Sequence, residues 1–178
     1  IAAFHKRGIS TFLVTNGTLP EAIARLNPLP TQLYISLQAP DEQTYAYVTR
    51  PKIKNSWERF LKSLDLMHTI KTRTVLRMTL IKGLNMLNEE GYASLIKRAM
   101  PNYVEVKGFS YVGGSRNKER GLSLSSMPNH QEIKDFANRL AELTGYTPVA
   151  EHAPSRIVLL SRDEESTLNR LIDFSKIQ

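Results

Sequence analysis

Along the chain, apolar residues keep two rhythms: short stretches alternating at every second position, and longer ones recurring every three to four positions. The first rhythm marks half-buried strands and the second marks amphipathic helices. Strands are expected at residues 9–15, 32–38, 73–81 and 103–111. Trp57, Phe60, Leu61, Leu64 and His68 form a helical stripe opened by Asn55, with Glu58 three residues on as a capping-box pair. Tyr92, Leu95, Ile96 and Ala99 form another, capped by Asn88 and stopped by Pro101. A third carries Ile133, Phe136, Ala137 and Leu140 and ends at Gly145. Two further strands, around 148–151 and 156–161, lead into the acid-started helix "DEESTLNRLIDF". Strands separated by helices predict an α/β fold with a mostly parallel sheet. No repeat, low-complexity tract or linker divides the chain, so residues 1–178 read as a single domain. Four βα units are too few for an eight-stranded barrel. The opening "IAAFHKRG" lacks an initiator Met and reads as the tail of a helix under way, so a fragment of a longer protein is expected.

Alternation also sorts each strand into two faces. Leu33, Ile35 and Leu37 oppose Tyr34, Ser36 and Gln38. Leu76, Met78 and Leu80 oppose Val75, Arg77 and Thr79. Val104, Val106 and Gly108 oppose Glu105, Lys107 and Phe109. A central strand covered on both sides should be apolar on both. Here one face is polar on neighbouring strands, so it must be internally paired, wet or filled by a ligand. An Arg77–Glu105 pair would meet part of that demand; a polar pocket inside a curved sheet would meet the rest. "FLVTNGT" places Thr15 and Asn16 at the carboxyl end of its strand, where α/β sheets bind ligands, and Gly17 permits a sharp bend. Lys107 has two readings: pairing with Glu105, or Schiff-base chemistry with a carbonyl substrate.

Net charge adds a constraint on partners. The 178 residues hold 24 Lys+Arg against 17 Asp+Glu, a net +7, which favours a polyanionic partner. The cations cluster after strands: Arg50, Lys52 and Lys54, then Lys82, then Arg116, Lys118 and Arg120. Tyr45 and Tyr47 precede the first cluster. Basic loops with aromatics around a pocket suit RNA whose base is drawn inward while its phosphates stay outside. His5, His68, His130 and His152 are scattered without metal-ligand spacing, and no apolar run is long enough for a membrane span. The chain has no cysteine, so it offers no disulfide and no thiolate ligand.

Five stretches together, "FLVTNGT", "LYISLQAPDEQTYAYVTRP", "VLRMTLIKGLN", "VEVKGFSYVGGSR" and "APSRIVLLSR", resemble the archaeal tRNA 4-demethylwyosine synthases of the radical SAM superfamily. The resemblance covers nearly the whole chain and implies strands three to six of a partial (β/α)6 barrel with outer helices. It implies formation of 4-demethylwyosine from N1-methylguanosine and pyruvate beside the anticodon of tRNA(Phe), in the cytoplasm. The implied cofactors are S-adenosylmethionine, cleaved to a 5′-deoxyadenosyl radical, and two [4Fe-4S] clusters served by an electron donor. Carried over by position, Thr15, Asn16, Ser36, Arg77, Thr79 and Asn85 would contact S-adenosylmethionine and Lys107 would face pyruvate. Arg50, Lys52, Lys54, Arg116, Lys118 and Arg120 would face the anticodon stem-loop. The family's CxxxCxxC loop and its glycine–glutamate motif are absent from this chain, so it is expected to be inactive alone. An aldolase-like lyase using Lys107, or a non-catalytic RNA-binding module, are the alternative readings.

Overall fold

The computed structural model describes residues 1–117 and 121–177. The expected parallel strands form: β1 (Phe12–Thr15), β2 (Gln32–Ser36), β3 (Arg73–Leu80) and β4 (Tyr103–Gly108) pair in that order and in parallel. The sheet does not stop there. β5 (Thr147–His152) and β6 (Ile157–Ser161) make an antiparallel pair, and β6 adds antiparallel to β4, giving six strands in the order β1-β2-β3-β4-β6-β5. A short link, residues 153–156, joins β5 to β6, which is the geometry an antiparallel pair requires. The sheet is mostly parallel, as expected, with this antiparallel pair at one edge, and it remains open.

One face of the sheet carries the core. Leu33, Ile35, Leu37, Leu76, Met78, Leu80, Val104, Val106 and Leu160 are wholly buried. They pack under α4 (Ser56–Met67), α5 (Glu89–Ala99) and α6 (His130–Thr144) through Phe60, Leu64, Ile96, Ile133 and Leu140. Each such side chain contributes about 1.5–3 kcal/mol by leaving water. Asn88 caps α5 as expected, its side chain accepting from Gly91 N at 3.0 Å. Asn55 does not cap α4: it adopts the left-handed conformation (φ 54°) and makes no side-chain cap bond. The capping box stands instead at α6, where Asn129 and Glu132 exchange bonds of 2.9 and 2.7 Å.

Two short helices lie near the sheet's carboxyl end: α2 (Pro20–Ala24) and α3 (Glu42–Thr49). Asp41 caps α3 by accepting from Thr44 N at 2.8 Å. Tyr45 of α3 is buried against Trp57 and Phe60, with ring centroids 5.3 and 5.7 Å away. This aromatic trio fixes α3 on α4.

The terminal helix is shorter than the expected 163–174. α7 covers only Glu164–Leu168, with Asp163 as its cap. Beyond it the chain turns under the amino end of the sheet, where Arg73 gathers three of its carbonyls. Arg73 Nη1 donates to Asn169 O and to Leu171 O (3.1 Å), and Nη2 donates to Arg170 O (2.6 Å). No helix among the described residues is long and apolar enough to cross a membrane.

Candidate functional site

The second face of the sheet is polar, as the alternation requires, and its two ends differ. Toward the amino end the polar groups satisfy one another. Arg77 meets Glu105 in an ion pair (Nε–Oε1 2.8 Å, Nη2–Oε2 3.1 Å) and lies 4.4 Å over the Tyr34 ring. Gln32 Nε2 donates to Tyr34 Oη (2.7 Å), and Arg73 Nε donates to Gln32 Oε1 (2.9 Å). Arg73 stacks over Tyr103 at 5.1 Å. Burial pushes the Tyr34 phenol up from its ordinary range, so it stays neutral. The polar face is therefore internally paired where Arg77 and Glu105 stand.

Toward the carboxyl end that pairing stops. Ser36, Thr79 and Lys107 share the face with Arg77, and the register sets Thr79 beside Lys107. Lys107 Nζ has no hydrogen bond or ion pair among the described residues, because Glu105 is engaged by Arg77. Past the strand ends lies a cavity of about 610 Å³ lined by Asn16, Gln38, Tyr47, Arg50, Lys52 and Phe109 among others.

The Thr-Asn-Gly turn shapes its near wall. Thr15 Oγ1 accepts from Gly17 N (3.2 Å), and Asn16 Oδ1 accepts from Thr18 N (3.1 Å) and Thr18 Oγ1 (2.8 Å). Gly17 has φ +73°, and a Cβ there would sit 3.0 Å from Ile35 Cγ2 and 3.1 Å from Phe60 Cδ2. Only glycine fits this bend. Asn16 keeps its amide nitrogen free among the described residues and lines the cavity. Thr15 does not line it. Its register partner is Ile35, on the core face, and its hydroxyl is spent on the turn.

Asn85 also differs from expectation. It is wholly buried, its Oδ1 accepts from Ile81 N (2.7 Å), and its Nδ2 donates to Gln38 O (2.8 Å) and Thr79 O (3.0 Å). Asn85 is thus a staple that fixes the carboxyl ends of β2 and β3 and cannot itself reach a ligand. Its place after a strand marks it as a special polar residue, but nothing local shows that its bonding capacity is spent on backbone. Gln38, which the alternation puts on the polar face without making it a contact, stands in the cavity wall because Asn85 holds its carbonyl.

The basic loops surround this cavity. Arg50 caps α3 in the left-handed conformation (φ 46°) and Pro51 comes next. Arg50, Lys52, Lys54 and Arg116 have no carboxylate partner among the described residues, although Arg116 Nε donates to Tyr111 O (3.3 Å). On the outer helices Arg98 pairs with Asp65, and Arg139 with Glu90 and Glu142. Lys82, in the loop after β3, pairs with Glu132. Lys118 and Arg120 lie outside the described residues. No cluster of three or more metal-ligating side chains occurs among the described residues.

An open sheet with four parallel strands, a polar face and a cavity beyond its carboxyl ends is the arrangement in which α/β proteins place ligands at the strand ends. Comparison with known proteins agrees. Residues 1–96 match the radical SAM superfamily and residues 98–162 match the family described as wyosine base formation. The chain belongs to the radical SAM superfamily. It is 49% identical over 168 residues to the S-adenosyl-L-methionine-dependent tRNA 4-demethylwyosine synthase of Pyrococcus horikoshii, covering 92% of this chain and 48% of that protein. Among solved structures it is similar to TYW1 with a lysine-pyruvate adduct bound (TM-score 0.79, 36% identity, 91% of this chain and 50% of that one). It is also similar to an archaeal TYW1 (TM-score 0.73, 33% identity, 98% and 52%). The chain therefore spans about half the length of these relatives.

Proposed function

We propose that this chain is the carboxyl-terminal part of an enzyme that forms 4-demethylwyosine in tRNA(Phe), from N1-methylguanosine and pyruvate, by S-adenosylmethionine radical chemistry in the cytoplasm. The observation that carries the reading is the cavity at the strand ends, where uncommitted polar groups and unneutralised cations meet. The family and its relatives' names supply the reaction. Residues 1–178 act as one domain completing a barrel begun elsewhere in the full-length protein.

The residues present fit S-adenosylmethionine at the inner wall. The Asn16 amide can donate to its methionyl carboxylate, and Ser36 and Gln38 offer hydroxyl and amide groups for its amine and ribose. Thr79 stands one strand further along. Arg77, held by Glu105, contributes a fixed positive charge below them. When bound, the cofactor supplies the radical that starts the chemistry. The [4Fe-4S] clusters do not fit this chain, which has no cysteine to hold them. Their thiolates must come from the remainder of the full-length protein, and residues 1–178 alone are inactive. Lys107 faces the pyruvate carboxylate by charge or its carbonyl by Schiff base. The lysine-pyruvate adduct bound in one related TYW1 structure supports a lysine in such a role.

In the full-length protein, Asn16→Ala and Ser36→Ala should each weaken S-adenosylmethionine binding by about 0.5–1.5 kcal/mol and leave tRNA binding nearly unchanged. Isothermal titration with each ligand separates the two effects. Unchanged cofactor affinity in both variants would remove these residues from the site.

A further inference from the structure

The rim of the cavity holds an aromatic side chain without a structural task. Of the two tyrosines on α3, Tyr45 is 4% exposed and locked against Trp57 and Phe60. Tyr47, two positions on and so on nearly the opposite side of the helix, is 65% exposed and lines the cavity. Its ring stacks on no other aromatic and its hydroxyl has no partner among the described residues. By contrast, Tyr34, Tyr92, Tyr103 and Tyr146 each place their hydroxyl in a hydrogen bond.

The segment after Tyr47 has a defined shape. Arg50 and Asn55, both non-glycine residues in the left-handed region (φ 46° and 54°), bracket a strap that contains Pro51, Lys52 and Lys54. Such conformations cost energy and persist where the surroundings hold them. Here the strap is anchored at its far end by Ser56, whose Oγ donates to Ile53 O at 2.6 Å and which is itself buried. The result is a fixed rim that presents one exposed ring, then cations with no carboxylate partner, beside a cavity of about 610 Å³. A planar ring next to unpaired cations is the combination that holds single-stranded nucleic acid, the ring taking a base and the cations its flanking phosphates.

We propose that Tyr47 is the stacking platform for one unpaired base of the RNA loop, with Arg50 and Lys52 holding the phosphates on either side of it. This inference rests on the tRNA reading above and assigns a division of labour within it: the ring supplies salt-independent affinity and the cations supply the salt-dependent part. Stacking exchanges base–water and ring–water contact for base–ring contact and releases few counterions, whereas each phosphate contact releases them.

The test uses the full-length protein and an unmodified tRNA transcript, with affinity measured by fluorescence anisotropy across a salt series. Tyr47→Ala should weaken binding about 5- to 20-fold at every salt concentration, leaving the slope of log affinity against log salt unchanged. Tyr47→Phe should bind as the parent does, because the hydroxyl has no partner to lose. Tyr47→Leu, apolar but not planar, should show most of the loss. An Arg50→Gln and Lys52→Gln double variant should instead flatten the slope by roughly 0.7–0.9 per phosphate released. Parent-like binding by Tyr47→Ala, with the slope still altered in the double variant, overturns the stacking role and leaves the tRNA reading standing. Equal loss in Tyr47→Phe and Tyr47→Ala also overturns it, since the hydroxyl would then carry the effect. If neither set changes binding, the tRNA reading of this mouth fails together with the stacking role.

Discussion

The two ends of the polar sheet face are built from similar residues and do opposite things. At the amino end, Arg73 and Arg77 are committed: one to three carbonyls of the terminal segment and to Gln32, the other to Glu105 and the face of Tyr34. At the carboxyl end, Lys107, Arg50 and Lys52 have no such partners among the described residues. The amino end is a finished network, and the carboxyl end keeps charges and amides available around a cavity. Arg73 and Arg77 are spent on the fold, whereas Arg50, Lys52 and Lys107 are left available; Lys82, after β3, is spent on Glu132.

The contrast is most exposed to disproof at Arg77. Arg77→Ala would strand the Glu105 carboxylate, which is only 9% exposed. We expect a loss of about 3 kcal/mol, the low end for a broken buried pair because Arg77 keeps about a third of its side chain in solvent. Replacing both partners together, Arg77→Met with Glu105→Leu, should cost much less. Urea unfolding of the full-length protein measures both, and equal losses would mean that the pair is not what matters.

Arg73→Ala should act on the same end with a smaller effect. We expect about 1–2 kcal/mol from the missing hydrogen bonds, with faster amide exchange confined to residues 169–176. Cofactor and tRNA affinity should stay as in the parent. A loss of tRNA binding comparable to that of the mouth variants would show that the two ends are not separate.

Acid should loosen the terminal segment from its other side. Hydrogen bonds from the Ser166 hydroxyl and backbone N–H hold Asp163 down from 3.8 to about 2. A carboxylate whose folded value is depressed contributes stability above its unfolded value and loses it as pH falls through the folded one. The cap of α7 should thus be intact above about pH 4 and lost toward pH 2, with Asp163→Asn flattening this dependence. Amide exchange of residues 164–168 across that window reads it out, and an unchanged profile in the variant would assign the acid sensitivity elsewhere.

Much of this arrangement is legible in the sequence because period-two alternation reports faces directly. Leu33, Ile35 and Leu37 are buried, and Ser36, Arg77 and Lys107 share the opposite face, as the pattern requires. What the pattern does not carry is how a polar residue spends its bonds. Asn85 and Asn16 look alike as loop asparagines after strands. One is consumed by three backbone groups, while the other keeps its amide for the cavity. Thr15, beside Ile35 on the core face, spends its hydroxyl on the turn, which its place at the strand end does not reveal. The terminal segment is unreadable for a different reason. Its helix ends where Arg73, nearly a hundred positions earlier, draws its carbonyls away, and no local signal encodes that contact.

If the cations at the carboxyl-end mouth hold RNA while those elsewhere do not, two sets of neutralised variants of the full-length protein must differ in tRNA affinity across a salt series. One set is Lys52→Gln, Lys54→Gln and Arg116→Gln at the mouth; the other is Lys62→Gln and Lys71→Gln, both exposed and away from it. Every mouth cation neutralised should lower the slope of log affinity against log salt by roughly 0.7–0.9, with little change in the second set. Equal changes per charge removed in both sets would contradict the division between the two ends, because charge would then act only through the field of the whole molecule.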